Sequence, residues 1–580
     1  MKVTMITYWR TFITLVACII SYGSYAQYTQ RSTYCNPLNI DYTYMIYNAH
    51  NDLSYRSGAD PAVVKFRNEY YMFVTRSMGY WHSADMLNWN FIQPQNWYFS
   101  GSNAPAAFNY KDSVLYVAGD PSGSMSIIYT DNPKAGRWEA VPAILHNLQD
   151  PALFIDDDGQ AYVFWGSSNV FPVRAKTLDR NRRFRPSEET HELFNLDMEK
   201  HGWERFGHNH SDTVLGGYFE GPWLTKRNGI YYMQYAAPGT EFNVYGDGVY
   251  MANKPLGPYS YAPNNPVIYK PGGFANGAGH GSLVEGPQKS YWHFGTAALA
   301  LNVGWERRIV MYPVFFDDDD LMYSNTSFGD YPHYAPAIPG KAGQFTGWML
   351  LSYKKPVRAS SQSGEHGPGY AVDENIKTYW LAKSNGEDEW LEIDLQKPGT
   401  VYAVQVNYQD HESGMYGRIP GLYHRYVIEG SADGKSWEVM ADRSKNYLDV
   451  PNDYVEPGVP TTVRYIRYRN IHVPTPHLAV SGLRIFGTGE GKAPGMIRNL
   501  KAERRQDRRD VLISWDKQEN AQGYHVYWGI APEKLYNSWL VYDDNQLEMK
   551  NLTIDQEYWI AVEAFNENGV ADRSKSIKAE

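Results

Sequence analysis

Five times between about residue 36 and residue 335 the chain repeats one local plan: a turn of polar or glycine residues leads into a short strand dense in aromatics, at 69–75, 114–119, 161–166, 230–236 and 290–296. Short alternating strands of this kind are half-buried and antiparallel. Four of the five are followed by another turn and another aromatic, as in Leu87-Asn88-Trp89 and Leu256-Gly257-Pro258-Tyr259. A spacing of roughly 45 to 70 residues is that of a four-stranded propeller blade, so five blades are predicted. Roughly ten to twelve residues ahead of three of the strands sits an acid, and a shared offset in a repeat means a shared place in space. The acids are Asp60 in Ala59-Asp60-Pro61, Asp150 in Gln149-Asp150-Pro151 and Glu220 in Glu220-Gly221-Pro222. Counting back in every blade gives Asp60, Ala104, Asp150, Glu220 and His280. Inner strands line the central channel, so these five positions should ring its axis at one end, where acids without a task are costly to bury. Asp-Pro and Gly-Pro are also common turn chemistry, but three acids in step mark a site.

The 580 residues exceed one core, and about three domains are expected. With 48 Tyr, 18 Trp, 50 Gly, 33 Pro and only 20% charged residues, the composition is that of turn-rich β structure. A net charge of −10 argues against nucleic acid or an anionic membrane as partner, since phosphate binding needs a basic face. The N-terminus carries Lys2 and Arg10, an apolar run 11–20, and Ser24-Tyr25-Ala26 before Gln27. This is the plan of a signal peptide over residues 1–26 and predicts export, periplasmic or secreted. Leu15-Val16-Ala17-Cys18 offers the alternative of a lipoprotein anchored at Cys18. No other stretch approaches the ~20 apolar residues of a transmembrane helix. After cleavage only Cys35 remains, which excludes an internal disulfide.

The repeat region resembles glycoside hydrolase family 43, five-bladed propellers that include α-L-arabinofuranosidases, β-xylosidases and galactan-cleaving enzymes. The resemblance rests on motifs in the family's order: Ala59-Asp60-Pro61, Ser83-Ala84-Asp85-Met86-Leu87-Asn88-Trp89, Asn103-Ala104-Pro105, the run 150–159 from Asp150-Pro151 to Asp158-Gly159, Phe219-Glu220-Gly221-Pro222 and Gly279-His280-Gly281-Ser282. One departure is Asn103-Ala104-Pro105, where the family often has Trp-Ala-Pro; it alters a pocket wall around Ala104. The resemblance implies Asp60 as general base, Glu220 as general acid and Asp150 as the residue that tunes and orients the acid. Inverting hydrolysis places acid and base ~6.5 to 9.5 Å apart, with water between. An ionised neighbour would help keep Glu220 protonated. By the same resemblance His280 lies near a calcium ion or its waters at the channel centre, and Arg307, in Trp305-Glu306-Arg307-Arg308, reaches the substrate. A satisfied polar role for His280, and a surface ion pair of Arg307 with Glu306, are the competing readings. The chemistry itself needs no cofactor.

Trp81 is a candidate for stacking on a sugar ring, against the commoner use of aromatics as core. His201, His208 and His210 lack zinc-ligand spacing, and the run 203–212 reads as a loop at the site entrance. The run 317–320 reads as a solvated turn.

Beyond about residue 345 the blade pattern stops. Ala371-Val372-Asp373-Glu374-Asn375, Glu389-Trp390-Leu391-Glu392 and Gly430-Ser431-Ala432-Asp433-Gly434 resemble a discoidin domain, the β jelly roll shared with carbohydrate-binding module family 32. Such domains either hold glycan or brace the catalytic unit. Many carry a structural calcium, for which Asp373 and Thr378 fit, although Gly482 stands where relatives often have a glutamate ligand. Residues 493–578, with Trp515, Tyr524, Leu552 and Tyr558-Trp559-Ile560, resemble a fibronectin type III β-sandwich. The expected all-β layout is therefore a signal peptide (1–26), a five-bladed β-propeller (27–345), a discoidin-like domain (346–490) and a fibronectin type III domain (491–580).

Function is expected to be an exported inverting glycosidase on plant-type polysaccharide or oligosaccharide, α-L-arabinofuranosidase first. β-Xylosidase, galactan or galactofuranose cleavage, and a non-catalytic carbohydrate-binding protein are the alternatives. Oligomeric state and exo or endo action are not written in the sequence.

Overall fold

The computed structural model describes residues 31–48, 53–96, 103–120, 124–146, 148–212, 214–299, 301 and 305–580. The expected leader at 1–26, with Cys18, lies outside them. Among the described residues the protein is all-β, with helix confined to 3-10 turns of three or four residues. No helix of these residues is long and apolar enough to cross a membrane.

The aromatic repeats form five antiparallel sheets, beginning at Ala62–Phe66, Asn103–Tyr110, Ala152–Ile155, Glu220–Arg227 and Gly279–Glu285, whose strands pair in chain order except that His191–Phe194 in the third pairs back to Val173–Asp179. Their aromatic density has a geometric cause. Successive side chains of a strand face opposite ways, and here both faces are buried. Tyr70 and Met72 join Val284, Trp292 and Ile309 of the fifth sheet, while Tyr71 and Phe73 join Ala107, Leu115 and Ile128 of the second. Further shared cores join second to third (Ala106 with Leu153), third to fourth (Phe154 with Met233) and fourth to fifth (Tyr232 with Val310). Each sheet thus shares a core with the next, and the fifth with the first.

The region after residue 345 is a nine-stranded arrangement around the long strand Trp390–Tyr408, with Trp380, Ile393, Ile428 and Ile485 in its core. The C-terminal region has a three-stranded and a five-stranded sheet enclosing Trp515, Tyr524, Trp528 and Ile560. Val244 and Tyr269 of the fourth-sheet region belong to that same core.

Two loops differ from expectation. The run 203–212, expected as a loop at the site entrance, is anchored at its start to the C-terminal sandwich: Gly202 N donates to Leu552 O (2.9 Å), and buried Arg205 pairs with Asp507 (3.2 Å) and Asp510. The 317–320 turn is not merely solvated, because Asp317 accepts from Lys534 Nζ and the Tyr536 hydroxyl (both 2.8 Å). Acidic side chains read as surface in a sequence when their cation lies two hundred residues away.

Candidate active site

The first strands converge on one cluster because each is entered through the same strained turn. Asp60, Ala104, Asp150 and His280 all adopt left-handed backbone, with φ of 55°, 42°, 49° and 46°. In the fourth sheet that conformation belongs to Gly221 (φ 61°) and not to Glu220. Glu220 therefore sits one position earlier, matching Asn103 and Gly279, after each of which the strand ladder skips. This corrects the expectation of one shared offset for all five positions. The offset has a steric reason: a Cβ on Gly221 would lie 2.5 Å from the His280 ring, so only glycine lets the imidazole pack there.

His280 is the hub. Its Nδ1 lies 3.3 Å from Asp60 Oδ1 and 4.0 Å from Asp150 Oδ2, and Asp247 Oδ1 accepts its backbone N–H (2.8 Å). Donor atoms of Asp150, Glu220 and His280 lie within 4.8 Å of one another, close enough to share a cation; Asp60 does not join that trio. Arg307, rather than Arg308, faces the site, with Nη1 3.5 Å from Asp60 Oδ1. Ala104 is buried beside Asp60, its N–H donated to Thr75 Oγ1 (2.8 Å), while the Thr75 hydroxyl donates to Asp60 Oδ2 (2.5 Å).

The carboxylates differ in electrostatics. Burial, the largest influence on Asp60, would raise its pKa, but His280, Arg307 and the Thr75 hydroxyl outweigh it and hold the group below its ordinary value. Burial raises Asp150 to about 7 against the opposing pull of His280, with Glu220 and Asp60 adding to the rise. Glu220 is raised too, first by burial and then by Asp60, while His280, Tyr245 and Arg307 oppose. Burial is therefore the main cause at Glu220, where an ionised Asp150 was expected. His280 is raised despite burial, because Asp60, Asp150, Glu220 and Asp247 surround it. Burial and neighbouring charge thus favour the charged form of Asp60 and the protonated forms of Asp150 and Glu220. Asp150 Oδ2, His280 Nδ1 and Arg307 Nε are buried without a hydrogen-bond partner among the described residues, leaving polar groups for a ligand.

Trp81 is not in this site. It is 1% exposed, donates Nε1–H to Asp41 Oδ1 (2.6 Å) and packs on Phe91 in the core between the fifth and first sheets. Half-exposed Trp305 instead lies under the Arg307 guanidinium, 5.3 Å from ring centroid to Cζ. Thr75, Tyr245, whose hydroxyl donates to Glu220 Oε1, and Asp247 were missed by sequence reasoning. None stands in a motif. Asp373 and Thr378 lie elsewhere, in the nine-stranded region: the Thr378 hydroxyl donates to Asp373 Oδ2 (2.7 Å), and Asn375 N–H to Oδ1 (3.0 Å). At Gly482 a Cβ would lie 2.8 Å from Phe274 of the first domain, so that position faces a domain seam.

Two stretches of the chain match known families. The family model for glycosyl hydrolases family 43 matches residues 50–322, and that for the F5/8 type C domain matches 356–479. The chain is 28% identical over 269 residues to xylan 1,3-beta-xylosidase of Vibrio sp, covering 40% of this chain and 46% of that protein. It is 24% identical over 268 residues to beta-D-galactofuranosidase xynD of Aspergillus niger, covering 40% and 72%. The chain thus spans less than half the length of the Vibrio relative. A solved structure described as a glycoside hydrolase aligns with TM-score 0.42 and 18% identity, over 74% of this chain and 97% of that one. The chain accordingly carries a glycosyl hydrolases family 43 domain over residues 50–322 and an F5/8 type C domain over residues 356–479.

Proposed function

We propose that the protein is an exported inverting glycosidase that removes α-L-arabinofuranosyl residues from plant-type polysaccharides or oligosaccharides. The observation that carries the reading is the convergence of three acids on His280, with the pKa of Asp60 lowered and those of Asp150 and Glu220 raised. In this reading the ring of five sheets is a five-bladed propeller and the C-terminal sandwich a fibronectin type III domain. Asp60 draws a proton from water, which attacks the anomeric carbon; Glu220, hydrogen-bonded by Tyr245, gives its proton to the departing oxygen. Asp150 shares the buried proton with Glu220 and orients it. Arg307 and His280 supply N–H groups to sugar hydroxyls, and Trp305 offers a ring face at the mouth. A calcium ion near His280, or held by Asp373 and Thr378, would be structural and carries no step.

The names of the relatives keep β-xylosyl and galactofuranosyl substrates in view, and a panel decides. Aryl α-L-arabinofuranoside, β-D-xyloside and β-D-galactofuranoside, with arabinan, xylan and arabinogalactan, should show release of one sugar. Glu220→Gln should lower kcat/KM by about 10²–10⁴-fold. The loss should be larger on oligosaccharides than on aryl glycosides, whose leaving group needs less protonation. Binding of glycan by the unmutated protein with no release would make it a carbohydrate-binding protein instead.

A further inference from the structure

The strand Leu53–Ser57 runs directly into the turn that presents Asp60, and the hairpin it forms with Thr43–Asn48 is gripped by the F5/8 type C domain. Tyr44 exchanges both backbone hydrogen bonds with Gly417 (3.1 and 2.8 Å), and Ser54 donates its N–H and hydroxyl to Ser413 O (2.7 and 3.0 Å). At this seam four charged side chains are buried together, Arg56 and Arg308 from the hydrolase domain and Asp410 and Asp449 from the F5/8 domain. Arg56 Nη2 meets Asp449 Oδ1 at 2.9 Å and its Nη1 lies 3.6 Å from Asp410 Oδ1. Arg308 Nη2 lies 4.0 Å from Asp410 Oδ2, and the Tyr44 hydroxyl donates to Asp410 Oδ1 (3.0 Å). His424 Nδ1 approaches Asp449 Oδ1 at 3.2 Å.

The two arginines also hold the backbone behind the site. Arg308 Nη1 donates to Arg56 O (2.6 Å) and to Arg307 O (3.1 Å), and the latter carbonyl also accepts Gly58 N–H (3.0 Å). The segments bearing Asp60 and Arg307 are thus tied through Arg308. The Arg307 guanidinium is loosely held by side chains: Nη1 lies 3.5 Å from Asp60 Oδ1, Nε has no hydrogen-bond partner among the described residues, and the Trp305 ring lies beside it. Its direction follows from its backbone.

We propose that Asp410 of the F5/8 type C domain is a positioning residue for glycoside hydrolysis, neutralising Arg56 and Arg308 so that Arg308 holds Arg307 against Asp60. This rests on the roles proposed above for Asp60 and Arg307. The F5/8 domain then completes the hydrolase site from behind and is not a detachable anchor. Removing one partner of a buried ion cluster leaves an uncompensated charge that rearranges its neighbours, and small displacements of reacting groups are costly in rate.

The test is steady-state kinetics of the full-length protein on an aryl glycoside that the wild type cleaves, with the folded fraction read by circular dichroism at the assay temperature. Asp410→Asn should raise KM severalfold, because Arg307 addresses substrate, and lower kcat about tenfold per folded molecule. Tyr44→Phe, which only frees the carboxylate from its hydroxyl partner, should move both constants the same way by about twofold, and it decides alone if Asp410→Asn does not fold. Lys534→Ala, at the seam with the C-terminal sandwich, should lower the melting temperature and leave both constants unchanged. An unchanged KM in both seam variants, with kcat following only the folded fraction, would reduce Asp410 to a structural role and overturn the proposal. A wild type that cleaves none of the panel sinks the functional reading itself, and this one with it.

Discussion

Asp150 is where burial and charge conflict most, and its protonation ties stability to pH with a defined sign. Its carboxyl titrates near 4 in the unfolded chain and at about 7 in the folded protein, burial being the first cause. Between those values the native state holds a proton that the unfolded state has released, so this group's contribution falls as pH rises from about 4 to about 7 and is constant above. Asp150→Asn, which never ionises, should therefore gain stability relative to wild type across that window, by on the order of 4 kcal/mol at pH 8, while losing activity. Paired urea titrations at pH 4.5 and pH 8 check it; an equal difference at both pH values would contradict it. The acids themselves were legible in the sequence because they stand in motifs. Thr75 and Tyr245 were not, since a threonine 15 residues from Asp60 and a tyrosine 25 residues from Glu220 declare themselves only when the sheets close. Trp81 misled for the converse reason. Nothing in its neighbours showed that Asp41 would take the indole N–H and Arg418 cover the adjoining Phe91.

The turn before each first strand is the element that converts a repeat into a site. Four of these turns place a side chain in left-handed backbone, and the fourth sheet uses Gly221 for it, releasing Glu220 to approach from the preceding position. The repeat was readable because Asp-Pro, Ala-Pro and Gly-Pro recur before aromatic strands. The one-residue displacement of Glu220 was not, because all three dipeptides are the same turn chemistry and the difference lies in φ. Gly221→Ala tests the element directly. Left-handed backbone costs a residue with a Cβ about 1–2 kcal/mol, and here that Cβ would lie 2.5 Å from His280 Cδ2. The ring must move away, and His280 is the group that faces both Asp60 and Asp150. The expected result is a modestly lower melting temperature and a loss of kcat/KM of more than about tenfold. Full activity would mean that the imidazole's position is unimportant.

Across the whole molecule the three regions meet at a buried junction of charges whose partners come from each of them. Lys270 and Asp330 (3.4 Å) belong to the chain before residue 345; Arg484 and Glu374 form a two-pronged pair (both 2.8 Å) in the F5/8 region; and Tyr542 of the C-terminal sandwich donates to Glu374 (3.4 Å). Arg484 Nη1 also donates to Asp330 O (2.5 Å), so the second region is bonded into the first. The separate cores were legible from their tryptophans and strand alternation. The seams were not, because buried interfacial arginines and aspartates have the same composition as a solvated surface. Their consequence is a prediction about truncation. Deleting residues 491–580 would strip Arg205, 1% exposed in the intact chain, of Asp507 and Asp510, and uncover Val244 and Tyr269. Losing those partners and that apolar cover should cost about 3–5 kcal/mol, which in a domain of about 300 residues corresponds to a fall in melting temperature of roughly 5–8 °C. Differential scanning calorimetry should show one main transition in the intact chain and a hydrolase-domain transition displaced downward in the truncated one. A hydrolase-domain transition at the same temperature in both would show that the sandwich hangs from that domain without bracing it, and that the Arg205 seam contributes nothing to its stability.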